Sequence, residues 1–117
     1  MPHSHNLVTV TIRADGKGDF TYDPSTVVVN YGDRISWTSN QLGPFAISFL
    51  NATPLNAMSL SSTLVNGEHK IEARQIVTRS PGHHHYAVAI AIVHPQDRSV
   101  MGVSLDAGCP DIVVSGD

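Results

Sequence analysis

Tyr86-Ala87-Val88-Ala89-Ile90-Ala91-Ile92-Val93 has no charged residue and alternates large side chains with small ones. In an extended chain Tyr86, Val88, Ile90 and Ile92 face one way, and Ala87, Ala89, Ala91 and Val93 face the other. Neither face is polar, so this strand belongs at the centre of a sheet with both sides covered. In a two-layer sandwich one face of each sheet normally meets water. The alanine row therefore needs a cover. A local loop or a short helix over residues 53–64 would serve, and so would a second subunit.

The rest of the chain has the same β character. Thirteen Val, eight Ile and eight Thr make 29 of 117 residues β-branched, a composition that favours strands. Leu7 to Arg13 alternates Val8, Val10 and Ile12 with Thr9 and Thr11, and Asp15-Gly16-Lys17-Gly18-Asp19 is a turn. Short strands follow at Phe20 to Tyr22, Thr26 to Asn30, Arg34 to Thr38 and Phe45 to Leu50. Thr53-Pro54 has the form of a helix N-cap and first position, predicting one short helix near 53–64 with Leu55, Met58 and Leu64 inward. Strand signal returns at Glu68 to Val77, with Ile71, Ala73 and Ile76 inward. Ser99 to Leu105 and Asp111 to Ser115 compete for the place of last core strand. About eight strands with at most one helix predict an all-β sandwich, one domain over 1–117 with a flexible N-terminus at 1–6.

Charge and cysteine usage remove several functions. A net charge of −3, with 15% charged residues and dispersed basic ones, argues against nucleic acid as a partner. A single cysteine, Cys109, forms no intrachain disulfide and no all-cysteine zinc site. Cys109 lacks an activating neighbour, no Gly-x-Ser-x-Gly elbow or paired carboxylates occur, and Gly16-Lys17-Gly18 precedes a strand where a phosphate loop needs a helix. No catalytic constellation is legible, and the expectation is no enzyme and no resident cofactor. The sequence shows neither a signal-like apolar stretch nor a membrane-spanning one, which reads as a cytoplasmic chain with no membrane partner.

Three segments resemble the cupredoxin family, of the plastocyanin and azurin type. Tyr22-Asp23-Pro24-Ser25-Thr26-Val27-Val28-Val29-Asn30-Tyr31-Gly32-Asp33-Arg34-Ile35-Ser36-Trp37-Thr38 is similar to the family's opening: an aromatic, a proline, a valine-rich strand, Gly-Asp, then a strand carrying Trp. Pro44-Phe45-Ala46-Ile47-Ser48-Phe49 resembles the stretch in which proline precedes the first copper histidine, and Tyr86-Ala87-Val88 stands where the family has Tyr-x-Cys. The similarity covers roughly residues 7–93 and implies an antiparallel Greek-key β-sandwich. It also implies a lost metal site, because a type 1 centre needs a thiolate and two imidazoles. Phe45 replaces the first histidine and Val88 the cysteine, and His94 and Met101 stand as remnants of a ligand loop. The ending Cys109-Pro110-Asp111-Ile112-Val113-Val114 is faintly similar to the tail of bacterial inclusion-body proteins.

The remaining chemical signal is histidine. Of seven, His83 and His85 are spaced by two and point the same way in a strand, as do His3 and His5. On cupredoxin topology both pairs would gather at one end of the sandwich, where imidazoles could take zinc, nickel or copper(II) adventitiously. The competing reading is a solvated turn after Pro81-Gly82 and a frayed N-terminus. His94, at the far end of the strand, cannot join them. The expected function is thus a non-catalytic binding or assembly module that has lost type 1 copper. Its partner would be a second copy or another protein, met at Ala87, Ala89, Ala91 and Val93. The alternative is a metal-binding protein that uses His83, His85, His3 and His5.

Overall fold

A computed structural model describes residues 5–106 and 110–115. His3 and Cys109 lie outside the described residues. Eleven strands and no helix are found among those described: β1 (Leu7–Ala14), β2 (Phe20–Asp23), β3 (Thr26–Val29), β4 (Arg34–Ser39), β5 (Phe45–Phe49), β6 (Ser59–Ser61), β7 (Thr63–Val65), β8 (Glu68–Gln75), β9 (Gly82–Val93), β10 (Val100–Asp106) and β11 (Asp111–Val114). They form a β-sandwich. One sheet has the order β2-β1-β4-β8-β7, the other β3-β11-β9-β5-β6, with β10 added beside β9.

Alternation along each strand builds the core between the sheets. Val10 and Ile12 of β1, Ile35 and Trp37 of β4, Phe45, Ile47 and Phe49 of β5, and Ile112 and Val114 of β11 are all buried. Each such side chain is worth about 1.5–3 kcal/mol of burial. In β9, Tyr86, Val88 and Ile90 point inward as the alternation requires. Tyr86 is the hub. Its ring lies 5.8 Å from that of Trp37, 5.6 Å from Phe49 and 6.4 Å from Tyr22. Trp37 Nε1 donates to its hydroxyl at 3.2 Å.

Four expectations need correction. The sheets are mixed: β1 runs parallel to β4, and β3 parallel to β11. The reason is that β3 leaves the first sheet for the second and β4 then returns beside β1. The 53–64 helix is absent. Thr53 Oγ1 accepts from Leu55 N in a local turn, and the serines and Leu60 beyond it alternate exposed and buried as β6, which pairs with β5. Leu64 and Met58 are exposed. Ala73 points outward, because β8 carries an extra residue where Ile35 and Trp37 meet Arg74 and Ile71; that bulge resets the alternation so that Ile76 is inward again. Both C-terminal segments are strands, and β11 supplies the core residues.

The Gly32-Asp33 turn ties the sheets at one end. Asp33 is buried, and its carboxylate accepts from Asn6 N and Asn30 N, both at 2.9 Å. Gly32 takes φ +90°, and a Cβ there would meet the His5 ring at 2.5 Å.

Burial pushes the Tyr86 phenol up to about 12, with Asp106 and Asp111 adding repulsion against the Trp37 hydrogen bond. A raised folded pKa means full stabilisation below the unfolded value of about 10, lost as pH climbs toward 12. Tyr86→Phe is expected to lower stability near pH 7 by about 1–3 kcal/mol, since Trp37 loses its acceptor. It should also remove this group's share of the decline between pH 10 and 12. Urea unfolding of both proteins across that range measures both effects.

Candidate functional site

The outward row of β9 runs His83, His85, Ala87, Ala89, Ala91, Val93. Two different surfaces result along one strand.

At its start β9 is paired with β11, and Asp111 stands opposite His85. His83 Nδ1 lies 2.7 Å from Asp111 Oδ2, and His85 Nδ1 lies 4.0 Å from Oδ1. The two rings stack with centroids 6.5 Å apart at 14°. Asp111 Oδ1 is buried and has no hydrogen-bond partner among the described residues. The spacing-of-two expectation therefore holds for His83 and His85, and the fold adds a carboxylate that the sequence reading had assigned only to a strand. His84 faces the other way, with its Nδ1 3.1 Å from Ala52 O.

His5 does not join this pair. β1 and β9 begin at the same end of the sandwich: Gly82 stands opposite Val114 of β11, Val114 opposite Val29 of β3, and the turn from Asn30 to Asp33 leads from there to Arg34, which stands opposite Leu7. Yet His5 Nδ1 sits 3.8 Å from Asp33 Oδ1, against the Gly32 turn. Among the described residues no three His, Cys, Asp or Glu side chains are arranged to hold a metal ion.

The four positions where the cupredoxin resemblance would put copper ligands are not brought together. Phe45 and Val88 are buried in the core, where Phe45 pairs with Ile90 and Val88 with Ile47. His94 is exposed just past the end of β9, and Met101 is exposed on β10 at the bulge between Val100 and Gly102, which stand opposite Val93 and Ile92. The His94 ring takes a hydrogen bond from Gln96 N at 3.3 Å and lies 3.9 Å from Asp97.

Past His85 the outer face is apolar and shallow. Ala87, Ala89, Ala91 and Val93 are half-buried, hemmed in by neighbouring strands but capped by no described element. Opposite Ala89 and Ala91 stand Leu105 and Val103 of β10 on one side; on the other, Ala46 of β5 faces Ala89, with Ser61 of β6 beyond it. A groove of about 380 Å³ runs over Ala46, Ser48, Ser59, Ala87, Ala89 and Leu105. A second, of about 280 Å³, continues it past Ala91 and Val103 to Pro44. On β10, Val100, Met101, Val103 and Leu105 are 66%, 64%, 61% and 70% exposed. Sequence reasoning treated Ser99 to Leu105 only as a rival core strand. The usable signal was its freedom from charge over a full strand length.

No family model matches the chain, and no curated protein matches it. Among the described residues no helix is long and apolar enough to cross a membrane.

The entry to this face depends on Gly43. A Cβ there would stand 2.2 Å from the carbonyl oxygen of Ala91, and Ala91 N donates to Pro44 O at 2.9 Å. Gly43→Ala is expected to push the Pro44 segment off β9 and cost about 1–3 kcal/mol, read as a lowered urea midpoint.

Proposed function

We propose that this protein is a non-catalytic binding and assembly module, built on a cupredoxin-like framework whose copper-ligand positions have become core, loop and exposed strand. Its working surface is the outer face of β5, β9 and β10. One observation carries the reading: the alanine row of the central strand is left open, and exposed Val103 and Leu105 extend it to the sheet edge. A surface of small side chains lets a partner's backbone or side chains come close, and contiguous apolar exposure of this kind marks an interaction site.

The partner class this surface fits is protein, because the groove offers almost no charge to recognise an ion or a polar ligand. Self-assembly is the simplest case. Multi-angle light scattering of the wild type is expected to give a mass above 12.5 kDa, and the double variant Ala89→Glu/Leu105→Glu should be monomeric. Like charges forced together in an interface cost several kcal/mol, enough to weaken association about 100-fold or more. A strictly monomeric wild type would sink the self-assembly reading.

Asp111 favours a second reading. Its buried oxygen, which has no hydrogen-bond partner among the described residues, lies beside two parallel imidazoles and supports weak binding of a divalent transition metal by His83 and His85, with the carboxylate orienting the rings. Calorimetric titration with zinc should release more heat from the wild type than from His83→Ala/His85→Ala. Equal heats would end this reading.

A further inference from the structure

The backbone of β10 holds information that its side chains do not. Along β9, Ala91 N donates to Pro44 O and Leu50 N donates to His85 O, so the odd-numbered residues bond toward β5. Tyr86 N donates to Pro110 O, so the even-numbered ones bond toward β10 and β11. In an antiparallel ladder, bonded and non-bonded pairs alternate. Gly102, Ser104 and Asp106, opposite Ile92, Ile90 and Val88, therefore carry the bonds to β9. Val103 and Leu105 aim their N–H and C=O groups the other way, where no described strand pairs with them.

Such an edge is unusual within this molecule. The other strands that end a sheet, β2, β3, β6 and β7, are three or four residues long, whereas β10 has seven. Proteins ordinarily blunt a long edge with charge, proline or a covering element. From Ser99 to Leu105 there is neither charge nor proline. The one irregularity, a bulge between Val100 and Gly102, leaves Gly102 to Asp106 regular.

We propose that β10 pairs antiparallel with β10 of a second copy about a two-fold axis at Ser104, joining the two outer sheets into one; this rests on the assembly reading above and names its partner and contact. In this register Val103 and the partner's Leu105 form a hydrogen-bonded pair, and Leu105 and the partner's Val103 form the other. Each pair satisfies both free N–H and C=O groups and places apolar side chains side by side on the outer face. Asp106, the only charged residue of β10, falls opposite the partner's Gly102. Gly102 has open space where a Cβ would stand, so no like charges meet. Parallel pairing in register would set Asp106 against its own copy. A two-fold contact needs one self-complementary patch, and this strand is one. The joined sheet carries both alanine rows on the same side.

Val103→Pro tests the pairing directly. It deletes an N–H that no described strand uses and the contact does. The variant is expected to keep the wild-type circular dichroism and to run as a monomer while the wild type runs as a dimer. Hydrogen exchange on the unaltered chain gives a readout that needs no variant. The Val103 and Leu105 amides should exchange about tenfold or more slowly in concentrated than in dilute solution, with the Ser104 amide little changed. A Val103→Pro variant that stays dimeric while Ala89→Glu/Leu105→Glu is monomeric overturns edge pairing and leaves face-to-face assembly standing. Fast exchange at Val103 and Leu105 in a dimeric wild type overturns it equally. A wild type that stays monomeric overturns pairing with a second copy, and the assembly reading with it.

Discussion

Twelve residues of β9 bond to three strands: β5 on one edge, β10 and β11 in succession on the other. That pairing demands an apolar strand, because its inner row must fill the core while its outer row lies between neighbours. It also sets where everything else can be. β11 reaches the second sheet only because the start of β9 is free to receive it. β3 follows β11, which draws the chain out of the first sheet and makes both sheets mixed. Tyr86, at the point where β9 passes from β11 to β10, gathers Trp37, Phe49 and Tyr22 around one ring. The Tyr22 hydroxyl donates in turn to the Asp106 carboxylate at the end of β10.

The same strand organises the surface. Its outer row changes from imidazole to methyl where its partner changes from β11 to β10. The histidine end is polar and supplied with a carboxylate. The alanine end is shallow and flanked by a strand whose outward backbone has no partner among the described residues. The polar cluster and the assembly surface adjoin along one row of β9, with His85 about 13 Å from Ala89 at the strand's rise per residue.

Much of this was legible in the one-dimensional pattern. The central place of Tyr86 to Val93, the inward set of β1, β4 and β5, and the common direction of His83 and His85 all follow from a period of two. Misreadings arose where local chemistry has two uses. Thr53-Pro54 serves a turn as well as it serves a helix start, and the serines after it accept a strand once β5 offers an edge. Ala73 turned outward because one extra residue in β8 shifts every side chain after it, and nothing in Glu72-Ala73-Arg74 marks a bulge. Asp111 beside His83 and His85 could not be foreseen, since only the pairing of two distant strands brings them together.

The sequence by itself determined that the chain is β-rich, that one strand is apolar on both sides, and that a single cysteine leaves no intrachain disulfide and no all-cysteine metal site. Those properties depend on residue type and alternation, which are local. Which strands pair, which edge stays free and which row of β9 is left open were decided only by the tertiary structure. They depend on hydrogen-bonding partners far apart in the chain, and a strand does not encode its neighbour. Ser99 to Leu105 would read the same in a core as at an edge. It became an exposed edge because β11, with Ile112 and Val114, closes the core in its place.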